Sequence, residues 1–311
     1  MKKVRDYEYD ESQLPLVSIS CITYNHGNYI SEALDSFLDQ VVDFPIEILV
    51  HDDASTDETT EIIREYEKKY PHIIKSVYQS ENQYSKGVKV GKFNRERAVG
   101  KYYATCEGDD YWSDVNKLAF QISFLEKYEE FSFCCHRANI FNESEKMYTG
   151  VIPESLHPID SQYGGLVIEH DVFFKKWVTQ PLTTVIRTDL VKKLPYKDYK
   201  FFRDFHTFYF LLFYGKGICF DEVWGVYRHH EGGVHSSKSE IERQFTGFKL
   251  AEELFLKTHD LGLLRNYGSC AIHLLFKFKE VSYVLSSIFL KLSIKEKIAL
   301  FHVFGKEFIR R

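Results

Sequence analysis

A chain of 311 residues with 44% hydrophobic content can bury a large core, which points to one extended domain or a domain with an appendage. Its formal net charge of -5 lacks the basic field of a nucleic-acid binder, so no nucleic-acid partner is expected. The six cysteines, Cys21, Cys106, Cys134, Cys135, Cys219 and Cys270, form no C-x-x-C pair and mostly sit in apolar runs. That favours buried, reduced thiols and a cytoplasmic setting over a disulfide framework or a zinc knuckle.

The first residues, Met1 to Glu8, show no apolar stretch behind their lysines, so no secretory signal is expected there. From Leu16 to Asn25 the chain is β-branched and apolar, then Ile30, Ala33, Leu34, Phe37 and Leu38 recur at helical spacing, which predicts a strand followed by a helix. The pattern returns as a strand from Ile46 to Asp53 and a helix opened by the cap-forming residues Ser55, Thr56 and Asp57. A third strand starts at Ile73, a short helix falls near Phe93 to Val99, and a fourth strand from Tyr102 runs into the acidic string CEGDDYW. A helix follows from Lys117. Strands alternating with helices predict a mostly parallel sheet that binds ligands outside the carboxyl ends of its strands. Tyr24-Asn25, Asp52-Asp53 and Asp109-Asp110 all occupy such ends and should converge on one edge.

Beyond Phe131 the regularity weakens into short strands and loops with one helix beginning near Asp204, and after about Ser237 the chain turns helical. Its uncharged runs, Asn266 to Phe276 and Val281 to Leu290, are shorter than the ~20 residues that span a bilayer. Between Arg265 and Arg311 stand nine Lys/Arg and three Asp/Glu, a local charge of +6. Apolar residues interleaved with lysines suit peripheral contact with an anionic membrane surface, and equally a cap on the rest of the chain or a homodimer partner.

Several groups could carry chemistry. The adjacent carboxylates of Asp109 and Asp110 suit a hard divalent cation such as Mn²⁺ or Mg²⁺, which would bridge phosphate oxygens; the competing reading is a cap for the next helix. Asp204 lies amid aromatic residues, where the charged form of a carboxylate is disfavoured and a general base is poised nearer neutrality; a plain helix cap is the alternative. Arg97, the last of several basic residues before the fourth strand, could meet a pyrophosphate.

Three blocks, PLVSISCITYNHGNYI, HDDASTD and CEGDDYW followed by Lys117-Leu118, make the chain similar to the family 2 glycosyltransferases of the GT-A fold. The similarity is closest from Pro15 to Tyr128 and weaker to about Ser237. It implies an α/β, Rossmann-like GT-A domain over 1–237, with a nucleotide-sugar half (15–128) and an acceptor half (129–237), followed by a helical extension over 238–311. It also implies an inverting transfer from a nucleotide-diphosphate sugar, with a UDP-sugar favoured, to a glycan or lipid-linked acceptor in surface polysaccharide synthesis. By the same resemblance Tyr24 packs on the base, Asp53 accepts from it beside Asp52, Asp109 meets sugar or ribose hydroxyls, and Asp110 is the principal metal ligand. Asp204 deprotonates the acceptor. A Tyr-Arg-x-His-x-Gly-Gly element, matched by Tyr227, Arg228, His230, Gly232 and Gly233, makes Arg228 a diphosphate contact and His230 a further metal ligand or phosphate contact. Ala54 stands where the family usually has Gly or Asn.

Other readings are a nucleotidyltransferase that makes activated sugars and a non-catalytic nucleotide-sugar-binding module. The first normally has a Gly-rich basic loop after its first strand, where this chain has Thr23 to Gly27. A dinucleotide-dependent oxidoreductase is disfavoured because no G-x-G-x-x-G follows that strand.

Overall fold

The computed structural model describes residues 1–7, 13–233 and 239–309. In chain order its elements are β1 (Lys2–Lys3), β2 (Val17–Thr23), α1 (Ile30–Leu38), β3 (Val41–Val42), β4 (Ile46–Asp52), α2 (Thr59–Lys69), β5 (Ile74–Tyr78), α3 (Gly91–Arg97), β6 (Tyr102–Thr105), β7 (Tyr111–Trp112) and α4 (Lys117–Lys127). There follow β8 (Phe131–Asn142), β9 (Met147–Ile152), β10 (Gly165–Ile168), α5 (His170–Phe173), β11 (Val185–Arg187), α6 (Thr188–Lys193), α7 (Asp204–Leu211), β12 (Lys216–His229), α8 (Glu240–Thr258), α9 (Leu264–Ile272), α10 (Val281–Lys291) and α11 (Ile294–Ile309). The chain divides into two compact units, which are described in turn.

The first unit comprises Met1–Ile168, Val178–Leu194 and Leu211–His229. Its main sheet runs in the order β10-β12-β8-β11-β6-β2-β4-β5, with β7 added to β12 and β9 to β8. As the alternation of strands and helices predicts, β6, β2, β4 and β5 are mutually parallel. All seven residues of β4 are buried, as expected for a strand covered on both faces. On α1 the predicted stripe of Ile30, Ala33, Leu34, Phe37 and Leu38 is buried, and joins Val17, Ile19, Ile48 and Val50 in one core. The register pairs Thr23 with Asp52, so the chain leaves β2 and β4 side by side.

Past β6 the sheet is mixed. The pair β8 and β12 is parallel, while β11 is antiparallel to both β6 and β8. Both β8 and β12 are longer than the sequence suggests. Opposite Phe220 to Val223 the register of β12 shifts, leaving Asp221 and Glu222 as an insertion against the continuous pair His136-Arg137. Such a bulge breaks the two-residue alternation that marks a strand in sequence.

The second unit comprises Glu169–Trp177, Pro195–Phe210 and His230–Arg311. The helical extension expected from residue 238 is therefore grouped with two earlier segments, and its expected start lies outside the described residues. A capping box between Ser239 and Glu242 opens α8. Its apolar face, including Phe248, Leu254 and Phe255, is buried, and Phe248 stacks on Tyr267 of α9 with ring centroids 4.9 Å apart. Glu252 is buried on α8, bonded by Ser287 of α10 and by Lys291 at 3.0 Å.

Candidate active site

Where β2 and β4 end, two loops are tied together by short polar side chains. Asn25, at φ 55, donates its amide to Ser55 Oγ (2.9 Å) and accepts at Oδ1 from the Thr56 amide (2.8 Å). Asp57 Oδ2 accepts from the Gly27 amide at 2.9 Å, while Oδ1 accepts from the Thr59 amide at 3.1 Å. Asp57 thus caps α2, whose first helical residue is Thr59 and not Asp57, because the cap itself stays outside the helix. Asp52 accepts at Oδ1 from Ser55 Oγ (2.6 Å) and at Oδ2 from Thr60 Oγ1 (2.5 Å). Asp53 accepts from the amides of Gln83 and Tyr84, each at 2.9 Å, one on each carboxylate oxygen. The next residue, Ala54, has φ 63, the left-handed region that Gly and Asn enter most readily. Beside this network Tyr24 stands 42% exposed, leaving ring surface open to a planar ligand.

The acidic string after β6 is held differently. The Gly108 amide donates to the Ile22 carbonyl at 2.9 Å, and a Cβ at Gly108 would come within 2.8 Å of Thr23 Oγ1, so the loop crosses β2 at a distance only glycine allows. The Asp110 carboxyl is buried and accepts at Oδ1 from the Arg228 amide at 2.8 Å. Burial, then the neighbouring Asp109 charge, holds its pKa well above the usual carboxylate range. Asp109 Oδ2 lies 3.6 Å from His26 Nε2, a pairing that sequence reading missed although His26 follows the Tyr24-Asn25 block directly.

The two arginines expected as phosphate contacts both have partners within the fold. Arg97 sits among the strands, bonding the carbonyls of Lys75 (2.9 Å) and Val50 (2.8 Å) and the Asn94 side chain. Its cation joins α3 to mid-strand positions of β4 and β5, not to the strand ends. Arg228 donates from Nε to the Asp109 carbonyl at 2.8 Å and pairs with Glu32 and Glu143, with Tyr29 and Tyr111 rings about its guanidinium. The acidic loop is therefore gripped twice by Arg228, through its amide to Asp110 and its side chain to Asp109. Neither Glu32 nor Glu143 could be found from sequence, since they lie far from Arg228 along the chain and carry no local signal.

Lys117, in the string that follows the acidic residues, is fully buried beneath Trp112, with Nζ 3.8 Å from a ring centroid. Burial lowers its pKa to about 7. Among the described residues its amine finds no hydrogen-bond partner, while Trp112 Nε1 donates to the Leu182 carbonyl at 2.8 Å.

Asp204 and His230 belong to the second unit. Asp204 opens α7; desolvation by the surrounding protein raises its pKa above the ordinary value, with Arg203 acting in the opposite sense. His230 is half-buried at the start of the last segment, its carbonyl accepting from the Gly233 amide at 3.2 Å. His235 lies outside the described residues.

A parallel β6-β2-β4-β5 core with carboxylates at its strand ends defines a Rossmann-like α/β protein. The model of the family "Glycosyl transferase family 2" matches residues 18–193, more than half of the chain, and the protein belongs to that family. The β-1,3-glucosyltransferase WfaP of Escherichia coli, named as acting from UDP-Glc on α-D-GlcNAc-diphosphoundecaprenol, is 31% identical over 238 residues, 74% of this chain and 84% of its own. Among solved structures, TarS residues 1–349 of S. aureus with UDP-GlcNAc matches at TM-score 0.57 and 19% identity, over 93% of this chain and 80% of that one. The mannosyltransferase PcManGT of Pyrobaculum calidifontis, with GDP-Man and Mn²⁺, matches at TM-score 0.55 and 17% identity, over 98% and 84%. These two establish the GT-A fold. Mycobacterial relatives 41% identical over 128 residues are longer: the chain covers 36% of their length. Among the described residues no helix is long and apolar enough to cross a membrane.

Proposed function

We propose that the protein is an inverting glycosyltransferase that moves a sugar from a nucleotide-diphosphate donor, with UDP favoured, to a hydroxyl of a glycan or lipid-linked acceptor in surface polysaccharide synthesis. The observation that carries the reading is the buried acidic loop after β6. Asp110 there has its charge disfavoured by burial and by Asp109, and a divalent cation would relieve both effects. That environment fits a metal site, with Asp110 as principal ligand and Asp109, His26 and His230 as further candidates. Bound Mn²⁺ or Mg²⁺ would neutralise the departing diphosphate. The relative's UDP-Glc and the neighbours' UDP-GlcNAc, GDP-Man and Mn²⁺ support this choice of donor class and cofactor.

In this reading Tyr24 stacks on the base, and Asp53 orders the Gln83-Tyr84 loop beside it while offering its remaining lone pairs. Arg228 fixes both ends of the Asp109-Asp110 peptide. Asp204 takes the proton from the acceptor hydroxyl, whose oxygen attacks the anomeric carbon from the side opposite the nucleotide, so one bond forms as the glycosidic phosphate bond breaks. Its raised pKa suits a base working near neutrality.

The test is incubation of the full chain with UDP-glucose or UDP-N-acetylglucosamine and Mn²⁺, following free UDP and the anomeric configuration of the product. Metal-dependent UDP release with an inverted product is expected. Donor binding without release would identify a binding module, and UDP-sugar formation from UTP and a sugar phosphate would identify a nucleotidyltransferase.

A further inference from the structure

The last two helices carry an apolar stripe that faces solvent. Leu290, near the end of α10, is 83% exposed, and on α11 Ile294, Ile298 and Phe301 are 76%, 63% and 55% exposed. At about 100° per residue, Ile298 and Phe301 fall about 40° and about 20° to either side of Ile294. The three side chains therefore form a single ridge, while Leu300 and Leu292 turn inward and are buried.

Charge is arranged around this ridge with one sign. By the same geometry Lys295 flanks it about 100° to one side and Lys297 about 60° to the other, and Glu296, in the first turn of α11, projects from the opposite face. Glu296 is engaged there by the Ser293 amide at 2.7 Å and by His259 at 2.9 Å, contacts that hold its pKa down to about 2. The segment from Arg265 to Arg311 as a whole carries nine Lys/Arg against three Asp/Glu. Exposed apolar residues bordered by cations, with the acid turned away, match the two layers of a lipid interface: acyl chains beneath anionic headgroups. A protein partner of matching shape would need an acidic rim around an apolar groove, whereas an anionic bilayer presents both chemistries at every point.

We propose that Leu290, Ile294, Ile298 and Phe301, with Lys295 and Lys297, form a docking surface for an anionic lipid bilayer, α11 lying in the plane of the interface. The sequence alone left open a membrane contact, an internal cap and a dimer face; the exposure of the ridge argues against the cap, and its cationic border favours the membrane. The assignment is independent of the proposed transfer reaction.

The experiment is co-sedimentation of the full chain with vesicles of phosphatidylcholine alone and of phosphatidylcholine with about 30% phosphatidylglycerol. Wild-type protein should sediment with the anionic vesicles, and release in 0.5 M salt should follow from screening. The variant I294S/I298S/F301S should reduce the bound fraction at least about 10-fold, and Lys295→Gln with Lys297→Gln should weaken binding selectively on the anionic vesicles. These positions are solvent-facing or half-buried, and an unchanged circular dichroism spectrum and melting midpoint would show the fold retained. Absence of wild-type binding to anionic vesicles overturns the proposal, as does equal binding by the triple serine variant. Self-association of the wild type that the same variant dissolves, without vesicle binding, assigns the ridge to a second copy and also overturns it. UDP release without vesicles should be the same in wild type and variants, so failure of the transfer reading would be seen separately.

Discussion

Two acidic pairs close the strands on either side of β2, and their surroundings differ. After β4 all four carboxylate oxygens of Asp52 and Asp53 accept hydrogen bonds, from Ser55, Thr60 and the amides of Gln83 and Tyr84. After β6 the carboxylates of Asp109 and Asp110 oppose each other, compensated by one backbone amide on Asp110 and by the His26 ring near Asp109. The first pair orders the loops around it. In the second, burial and the neighbouring charge hold the Asp110 pKa up, because like charges brought together out of water disfavour ionisation.

Breaking each pair should therefore damage different properties. Asp110→Ala should lower UDP release at least about 1,000-fold with the melting midpoint unchanged or raised, since a buried charge is removed; a large fall in the midpoint would show that Asp110 holds the fold. Asp204→Asn should lose transfer about 100- to 1,000-fold while UDP-sugar affinity by calorimetry stays intact. In wild type, transfer should fall as pH drops through the raised Asp204 pKa, because the base must be unprotonated, and that acid limb should vanish from the residual activity of the variant. Asp53→Ala should instead cost stability, about 3 kcal/mol in urea denaturation, because two amides lose a charged acceptor. A pH-dependent effect concerns Lys117, whose folded pKa of about 7 lies below its unfolded value of about 10.4. Between those limits the unfolded chain holds more protons, so stability should rise with pH from about 7 to about 10, and Lys117→Met should flatten that slope in melts.

The strand ends were legible because β-branched runs stop at polar residues, and the parallel order β6-β2-β4-β5 then gathers Tyr24, Asp53 and Asp110 on one edge. Lys117 was legible as part of a motif but not as a buried cation, since nothing local distinguishes a lysine beneath a tryptophan from a solvated one. The protein partners of Arg97 and Arg228 were not legible for a related reason: a basic residue near an expected phosphate site reads the same in sequence whatever carbonyls and acids from elsewhere in the chain its donors reach. The two-residue insertion within β12 was not legible, because it disrupts periodicity without ending the strand.

The left-handed backbone at Ala54 has a consequence for mutational tolerance. At most buried positions next to a strand, replacing alanine by glycine loosens the chain and branched side chains are welcome. Here the order should invert, with Gly and Asn at or above Ala in thermal stability and Val or Ile lowest, separated by roughly 1–2 kcal/mol. A saturation library at residue 54 would thus report the local handedness of the chain directly, as a ranking of survivors.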